Sequence, residues 1–392
     1  MKAKRKSCRN TPSHDDLRDS MDALEICRFA TTQKLTAKFV YSLAFLGQIF
    51  LGGILMSQQT AMAKEVPGFT YGSPSFTPDS QKLVFDRCSS AHECRIHVLN
   101  LNTNELTYYR PPAGQMWFSG KFSPNGKQIA FVAVPLLAKD SGYGDRDWAN
   151  AQIALMDTDG RNVRMLTRGP GYKQSPNFSW SGKKVIYVQG ELRKPGSKTL
   201  DADNDAFEID LETGAIRQLT DYKFFQMGRP SYLPDDISFV VYGDFPANIR
   251  GISSTEKMAY LRDLERKNQR SWVHRFETTQ KNEVLTTLFT APFYWAMRVT
   301  VDIAGNIYFE AQPNERGRMR VFRHRPDEQL ESWAIKPHLQ PRAAEISPDG
   351  RLWVEVSRPA VEGDLNGIFM LNLTDGDWQE IPASGPAQAI NQ

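Results

Sequence analysis

Cysteine is scarce in this chain. There are four in 392 residues, and two of them, Cys8 and Cys27, precede the one long apolar run. A dense disulfide framework is therefore excluded as the source of stability. A four-ligand zinc site finds no support either, because the remaining pair, Cys88 and Cys94, has only His92 and His97 close by. Histidine is equally sparse, with six scattered copies. No G-x-S-x-G elbow, H-E-x-x-H helix or phosphate-cradling P-loop occurs, so no local motif announces a hydrolase, a metalloprotease or a nucleotide site. An excess of one charge is missing as well. Residues 1–63 hold nine of the 48 Lys/Arg and five of the 45 Asp/Glu, which leaves the remainder near −1. Such a chain has no global basic field of the kind nucleic-acid binding requires.

What the sequence does have begins with residues 39–56, FVYSLAFLGQIFLGGILM, preceded by Lys38, Lys34, Arg28 and a basic cluster at Lys4 to Lys6. A positive stretch, an apolar core and the small-x-small site Ala61-Met62-Ala63 are the parts of an export signal, with cleavage expected before Lys64. The apolar run is also long enough for the alternative, an uncleaved inner-membrane anchor facing the periplasm. The basic region is unusually long, and translation from Met21 is a second reading. No cysteine stands between the run and the expected cleavage site, which argues against a lipid anchor. Cys88 and Cys94 bracket residues 89–93 between the strand-like runs LVFDR and RIHVLNL. In an exported protein that pattern predicts a disulfide across a hairpin.

An internal repeat organises the rest. It reads SPSFTPDSQKLVF from Ser73, SGKFSPNGKQIAF from Ser119, SPNFSWSGKKVIY from Ser175, RPSYLPDDISFVV from Arg229, RVTVDIAGNIYFE from Arg298 and AAEISPDGRLWVE from Ala343. The turn residue of successive copies is Pro78, Pro124, Trp180, Pro234, Ile303 and Pro348, at intervals close to the size of a four-stranded blade. Each copy continues through a β-rich run, a variable insertion, a second run such as QIALMDTDG, and a strand ending in Leu-Thr. Four short strands joined by tight turns make one antiparallel sheet, and a single such sheet cannot bury both faces. Six must pack face to face around an axis. The expected fold class is all-β, a six-bladed β-propeller spanning residues 64–392, with blades near 71–115, 116–174, 175–220, 221–290, 291–340 and 341–385.

The repeat resembles that of the TolB-like propeller family, whose signature is S-P-x-x-S-P-D-G-K-x-I-A-F, then I-Y-V-M-D-x-D-G, then R-x-L-T. The match is strongest between Ser119 and Val188 and weakest at Arg298 and at the YLPDD turn. The resemblance implies the fold and a periplasmic compartment. It does not imply membership of the Tol envelope complex. Only Lys64 to Tyr71 separate the expected cleavage site from the first blade, so the α/β domain that precedes the propeller in TolB itself is not expected.

Function is expected on one face. The long insertions, residues 135–149, 190–205, 243–271 and 357–366, all fall between the second and third strands of a blade, on the same face as the links between blades. Those links carry Trp117, Tyr172, Phe225, Tyr294 and Trp295, with Arg229, Arg298 and Arg342 at or beside the starts of inner strands. Aromatic and guanidinium groups are what a recognition patch needs, so these eight residues form the expected binding mouth. The reading is a non-catalytic binding or scaffolding propeller without a cofactor, whose partner is an envelope protein or a glycan. The alternative is a carbohydrate-active propeller such as a lyase on acidic sugars, with His274 or His324 as base. Two lesser candidates remain. Asp201, Asp203 and Asp205, with Glu212 at the twelfth place, imitate a calcium loop but have Ala206 where glycine belongs. The run STEKMAYLRDLERKNQRSW reads as a short amphipathic helix.

Overall fold

Ser-Pro-Asn-Gly at 123–126 shows how each copy of the repeat begins its sheet. The Gly126 amide donates to Ser123 O at 2.8 Å, and Gly126 has φ +68, which glycine adopts without strain. Ser123 Oγ accepts from the Gln128 amide at 2.9 Å and donates to Asn125 Oδ1 at 2.7 Å, so the side chain holds the turn shut. Thr77 with Asp79 and Ser347 with Asp349 repeat the arrangement. The two degenerate copies keep the turn by other means. Asp302 Oδ1 accepts from the amides of Ala304 and Asn306, and Asp236 takes the left-handed conformation, φ +54, that glycine supplies elsewhere.

These turns join the strands of six antiparallel blades in a computed structural model that describes residues 69–88, 93–137, 146–192, 202–244, 256, 259, 262–263, 272–279, 284–287, 293–314, 316–336, 339–359 and 367–390. The chain divides into units 1–63 and 64–392, and every described residue lies in the second. The export segment therefore lies outside the described residues. Blade 1 is β1 (Thr70–Phe76), β2 (Lys82–Cys88), β3 (Cys94–Asn100) and β4 (Leu106–Tyr108). Blade 2 is β5 (Gln115–Phe122), β6 (Gln128–Pro135), β7 (Gln152–Asp157) and β8 (Arg164–Met165). Blade 3 is β9 (Tyr172–Phe178), β10 (Lys184–Leu192), β11 (Ala202–Asp210) and β12 (Ile216–Gln218). Blade 4 is β13 (Ser231–Tyr232), β14 (Ser238–Gly243), β15 (Trp272–Glu277) and β16 (Val284–Thr287). Blade 5 is β17 (Trp295–Val301), β18 (Ile307–Gln312), β19 (Arg320–His324) and β20 (Leu330–Ala334). Blade 6 is β21 (Leu339–Ile346), β22 (Leu352–Pro359), β23 (Gly367–Asn372) and β24 (Trp378–Ile381), and a last strand, β25 (Gln388–Ala389), pairs parallel with β4.

Strand alternation explains the packing. On β6, Ala130, Val132 and Val134 face blade 3, whereas Ile129, Phe131 and Ala133 face blade 1. Among the described residues the buried apolar side chains form six clusters, one at each junction between neighbouring blades. The junction of blades 6 and 1 closes the ring, with Phe76, Leu83 and Phe85 packed against Val354, Val356 and Ile368. At roughly 1.5–3 kcal/mol per large buried side chain, these interfaces hold the blades together, since no blade covers both its own faces.

The insertions fall where the repeat places them, between second and third strands. The blade 3 insertion is shorter than expected, because β10 and β11 pair as far as Leu192 and Ala202. In blade 4, Glu256, Ala259, Arg262 and Asp263 are helical, Trp272 at the end of the expected amphipathic helix is instead the first residue of β15, and the rest of that run lies outside the described residues. Cys88 and Cys94 are paired in register across β2 and β3 and are disulfide-bonded, as the hairpin reading expects.

Candidate binding site

The inner strands β1, β5, β9, β13, β17 and β21 line the axis, and their sequence repeat becomes a set of rings. Ser75, Lys121, Asn177, Ser231, Thr300 and Glu345 are equivalent, and so are their successors Phe76, Phe122, Phe178, Tyr232, Val301 and Ile346. Two positions further on stand the turn residues Pro78, Pro124, Trp180, Pro234, Ile303 and Pro348. All of these except Pro234 line one cavity of about 260 Å³ at the mouth on the face of the first-to-second-strand turns. Its wall is apolar and its floor polar. At the rim Trp180 is half-buried, its indole donating to Tyr232 O at 3.0 Å, and Ile303 is 63% exposed.

Charges that meet across the axis close the floor. Lys121 Nζ lies 2.7 Å from Glu345 Oε1, Thr300 Oγ1 donates to the same oxygen at 2.5 Å, and Arg229 donates to Ala344 O at 3.0 Å with Glu345 Oε2 at 3.4 Å. Burial lowers the Lys121 pKa, and Glu345 acts against that shift. Above this waist lies a void of about 20 Å³, room for a water, bordered by Ser73, Ser119, Ser175 and Arg229. Ser75 borders both spaces, and its Oγ is buried without a partner among the described residues.

The eight residues expected at the insertion-bearing mouth do not form one patch. Arg229 reaches the axis, but as part of the waist. Arg298, at φ +58, pairs with Glu310, which is fully buried. Trp117 is only 1% exposed and packs 4.6 Å from Phe131 between blades 1 and 2, so it is a core residue. Tyr172 stands edge-on to Trp148 at 5.7 Å, donates to Gln174 Oε1, and has its pKa pushed up to about 12 by burial. Phe225, Tyr294 and Trp295 are half-buried at the blade links. Arg342 lies on β21 at the register shift between Pro341 and Ala343, and its side chain is outside the described residues.

The calcium reading is corrected. Asp203 and Asp205 lie on strand β11 rather than in a loop. Asp205 accepts from Thr220 Oγ1 and from the Tyr222 and Lys223 amides, which pins the next loop. Asp201 lies outside the described residues, and none of the described residues form a cluster able to hold a metal. The histidines offered as a lyase base stand away from the axis. His274 is fully buried beside Phe224 and Phe276, and His324 is on the third strand of blade 5.

Sequence reading missed Lys121, Asn177, Thr300 and Glu345. They stand in the quoted repeats at the third position, where the residue type changes from blade to blade. The usable signal was the turn position, where Trp180 and Ile303 replace proline.

No family model matches the chain. Among solved structures it is similar to TolB from Acinetobacter baumannii, at 15% identity and a TM-score of 0.54, over 82% of this chain and 65% of that one. It is also similar to a puromycin-hydrolyzing peptidase of Mycobacterium tuberculosis, at 17% identity and 0.50, over 80% of this chain and 45% of that one. An oligogalacturonate lyase from Vibrio parahaemolyticus matches at 15% and 0.49, over 80% and 78%. The chain thus spans less than two thirds of the first two proteins, and at such identities the likeness is one of fold. By its repeat, its blade topology and the first two of these neighbours, the chain is a six-bladed β-propeller of the TolB-like fold.

Proposed function

We propose that this chain is a non-catalytic binding propeller of the bacterial periplasm, taking an envelope protein or glycan at a mouth of its axial channel. The observation that carries this reading is the 260 Å³ cavity, with its apolar wall, exposed Ile303 rim and polar floor. A few convergent polar groups within an apolar concavity are what a ligand site needs. The titratable side chains that line it are engaged: Lys121 with Glu345, and Tyr232 with Glu208 at 2.5 Å. That favours binding over acid–base chemistry, which needs a group free to exchange a proton with substrate. The export signal expected from the sequence and the disulfide support the compartment. The insertion-bearing face is a second reading, favoured by the half-buried Tyr172, edge-on to Trp148, and by the half-buried Tyr294 and Trp295 of blade 5.

Site-specific photo-crosslinking in intact envelopes tests both readings. A crosslinker at position 303 is expected to capture a defined partner, and one at 295 is not. Capture from 295 alone would move recognition to the insertion-bearing face, and capture from neither would overturn axial binding.

A further inference from the structure

Blade 1 places two guanidiniums opposite each other. Arg87 on β2 and Arg95 on β3 are directly paired residues of the antiparallel ladder, an arrangement that like charges disfavour. Arg87 is only 8% exposed. Its amino groups donate to Gly385 O at 2.9 Å and Ser384 O at 3.4 Å, its guanidinium lies 3.5 Å over the Phe69 ring, and its Nε has no partner among the described residues. None of the described residues brings a carboxylate to it. Arg95 lies over the Tyr108 ring at 4.8 Å and meets Glu93 at 3.1 Å, where the carboxylate is 66% exposed. A cavity of about 310 Å³ opens between them, lined by Phe69, Arg87, Glu93, Arg95, His97, Tyr108 and Ala387.

We propose that this cavity is an anion site for a carboxylate carried on a flat apolar body. The carboxylate would sit between Arg87 and Arg95, and the body would lie against Tyr108 and Phe69. A buried guanidinium lacking a counter-ion is costly, and an incoming carboxylate supplies one. Glu93 already shows a carboxylate docked on Arg95, so a ligand displaces it. The local field is consistent. His97 stacks on Phe85 with the Tyr108 ring tilted against its other side, and burial, with Arg87 and Arg95 adding to it, lowers its pKa to about 4. The site is separate from the axis and independent of what binds there.

Calorimetric titration of the purified chain with benzoate, alongside nitrogen-resolved spectra of the His97 ring, tests the proposal. Saturable binding that moves the His97 signal is expected, with neutral benzamide and inorganic phosphate each at least about tenfold weaker. Arg95→Gln, at a partly exposed residue, should weaken benzoate about tenfold without changing the melting temperature. Glu93→Gln should tighten it, because the internal competitor is gone. Benzamide or phosphate binding as well as benzoate, an unaffected Arg95→Gln chain, or weaker binding in Glu93→Gln would each overturn the site.

Discussion

Asp86 is the residue whose environment makes the sharpest demand. It is 5% exposed on β2, and its Oδ1 accepts from the Ser119 amide of the next blade at 2.8 Å. Burial pushes its carboxyl up to about 7, although the Ser119 amide, Ser73, Arg229 and Arg146 all favour the charged form. The folded pKa then lies above the ordinary carboxylate value, so the folded chain holds the proton where the unfolded chain has released it. Stability should therefore fall as pH rises from about 4 to 7 and stay lower above that. Asp86→Asn keeps an acceptor for Ser119, so it should be more stable than the native chain at pH 8, with the gap closing as pH falls toward 4. Chemical unfolding across that range checks this, and parallel curves for the two chains would show that Asp86 does not titrate there.

At the scale of strands, the inner-strand bulge sets the geometry of the axis. Ser73, Ser119, Ser175 and Arg298 occupy equivalent positions with left-handed backbone, φ +45 to +58, between register shifts of the ladder. In blades 1 to 3 a serine fits there. In blade 5 the same position carries Arg298, whose guanidinium neutralises the fully buried Glu310. Arg298→Ala should thus cost about 3–5 kcal/mol of stability, since it leaves a buried charge alone. A loss under about 0.5 kcal/mol in denaturant unfolding would show that the pair is not structural. Turn and strand were legible because the turn chemistry is local and its pattern, though degenerate in blades 4 and 5, repeats in six copies. The partners of Arg298 and Glu345 were not, because the repeat fixes which positions share a ring but not which charges reach across it. Lys121 meets Glu345 over the short Ser75 of the blade between them, a contact that depends on one blade having a small residue. Trp117 was misread for a related reason: an aromatic at a blade link looks the same in sequence whether it faces the mouth or the next blade.

At the scale of the whole ring, the C-terminal segment reinforces the closure made by the junction of blades 6 and 1. β25 adds to the outer edge of blade 1, the Ile390 amide donates to Tyr108 O, and Arg87 grips Gly385 O from the same blade. Truncation after residue 386 should therefore lower stability by about 2 kcal/mol or more, the scale of one buried side chain with its hydrogen bonds. An unchanged thermal transition would mean that the apolar junction of blades 6 and 1 closes the ring alone. Axial recognition through the cavity is the central claim for the molecule. Equilibrium dissociation constants of the captured partner for the native, Ile303→Asp and Trp295→Ala chains test it most directly. Ile303 is exposed, so Ile303→Asp should leave the fold intact and weaken binding by about 2 kcal/mol, roughly thirtyfold, while Trp295→Ala changes affinity by less than about threefold. Unaltered affinity in Ile303→Asp beside a large loss in Trp295→Ala would contradict the account.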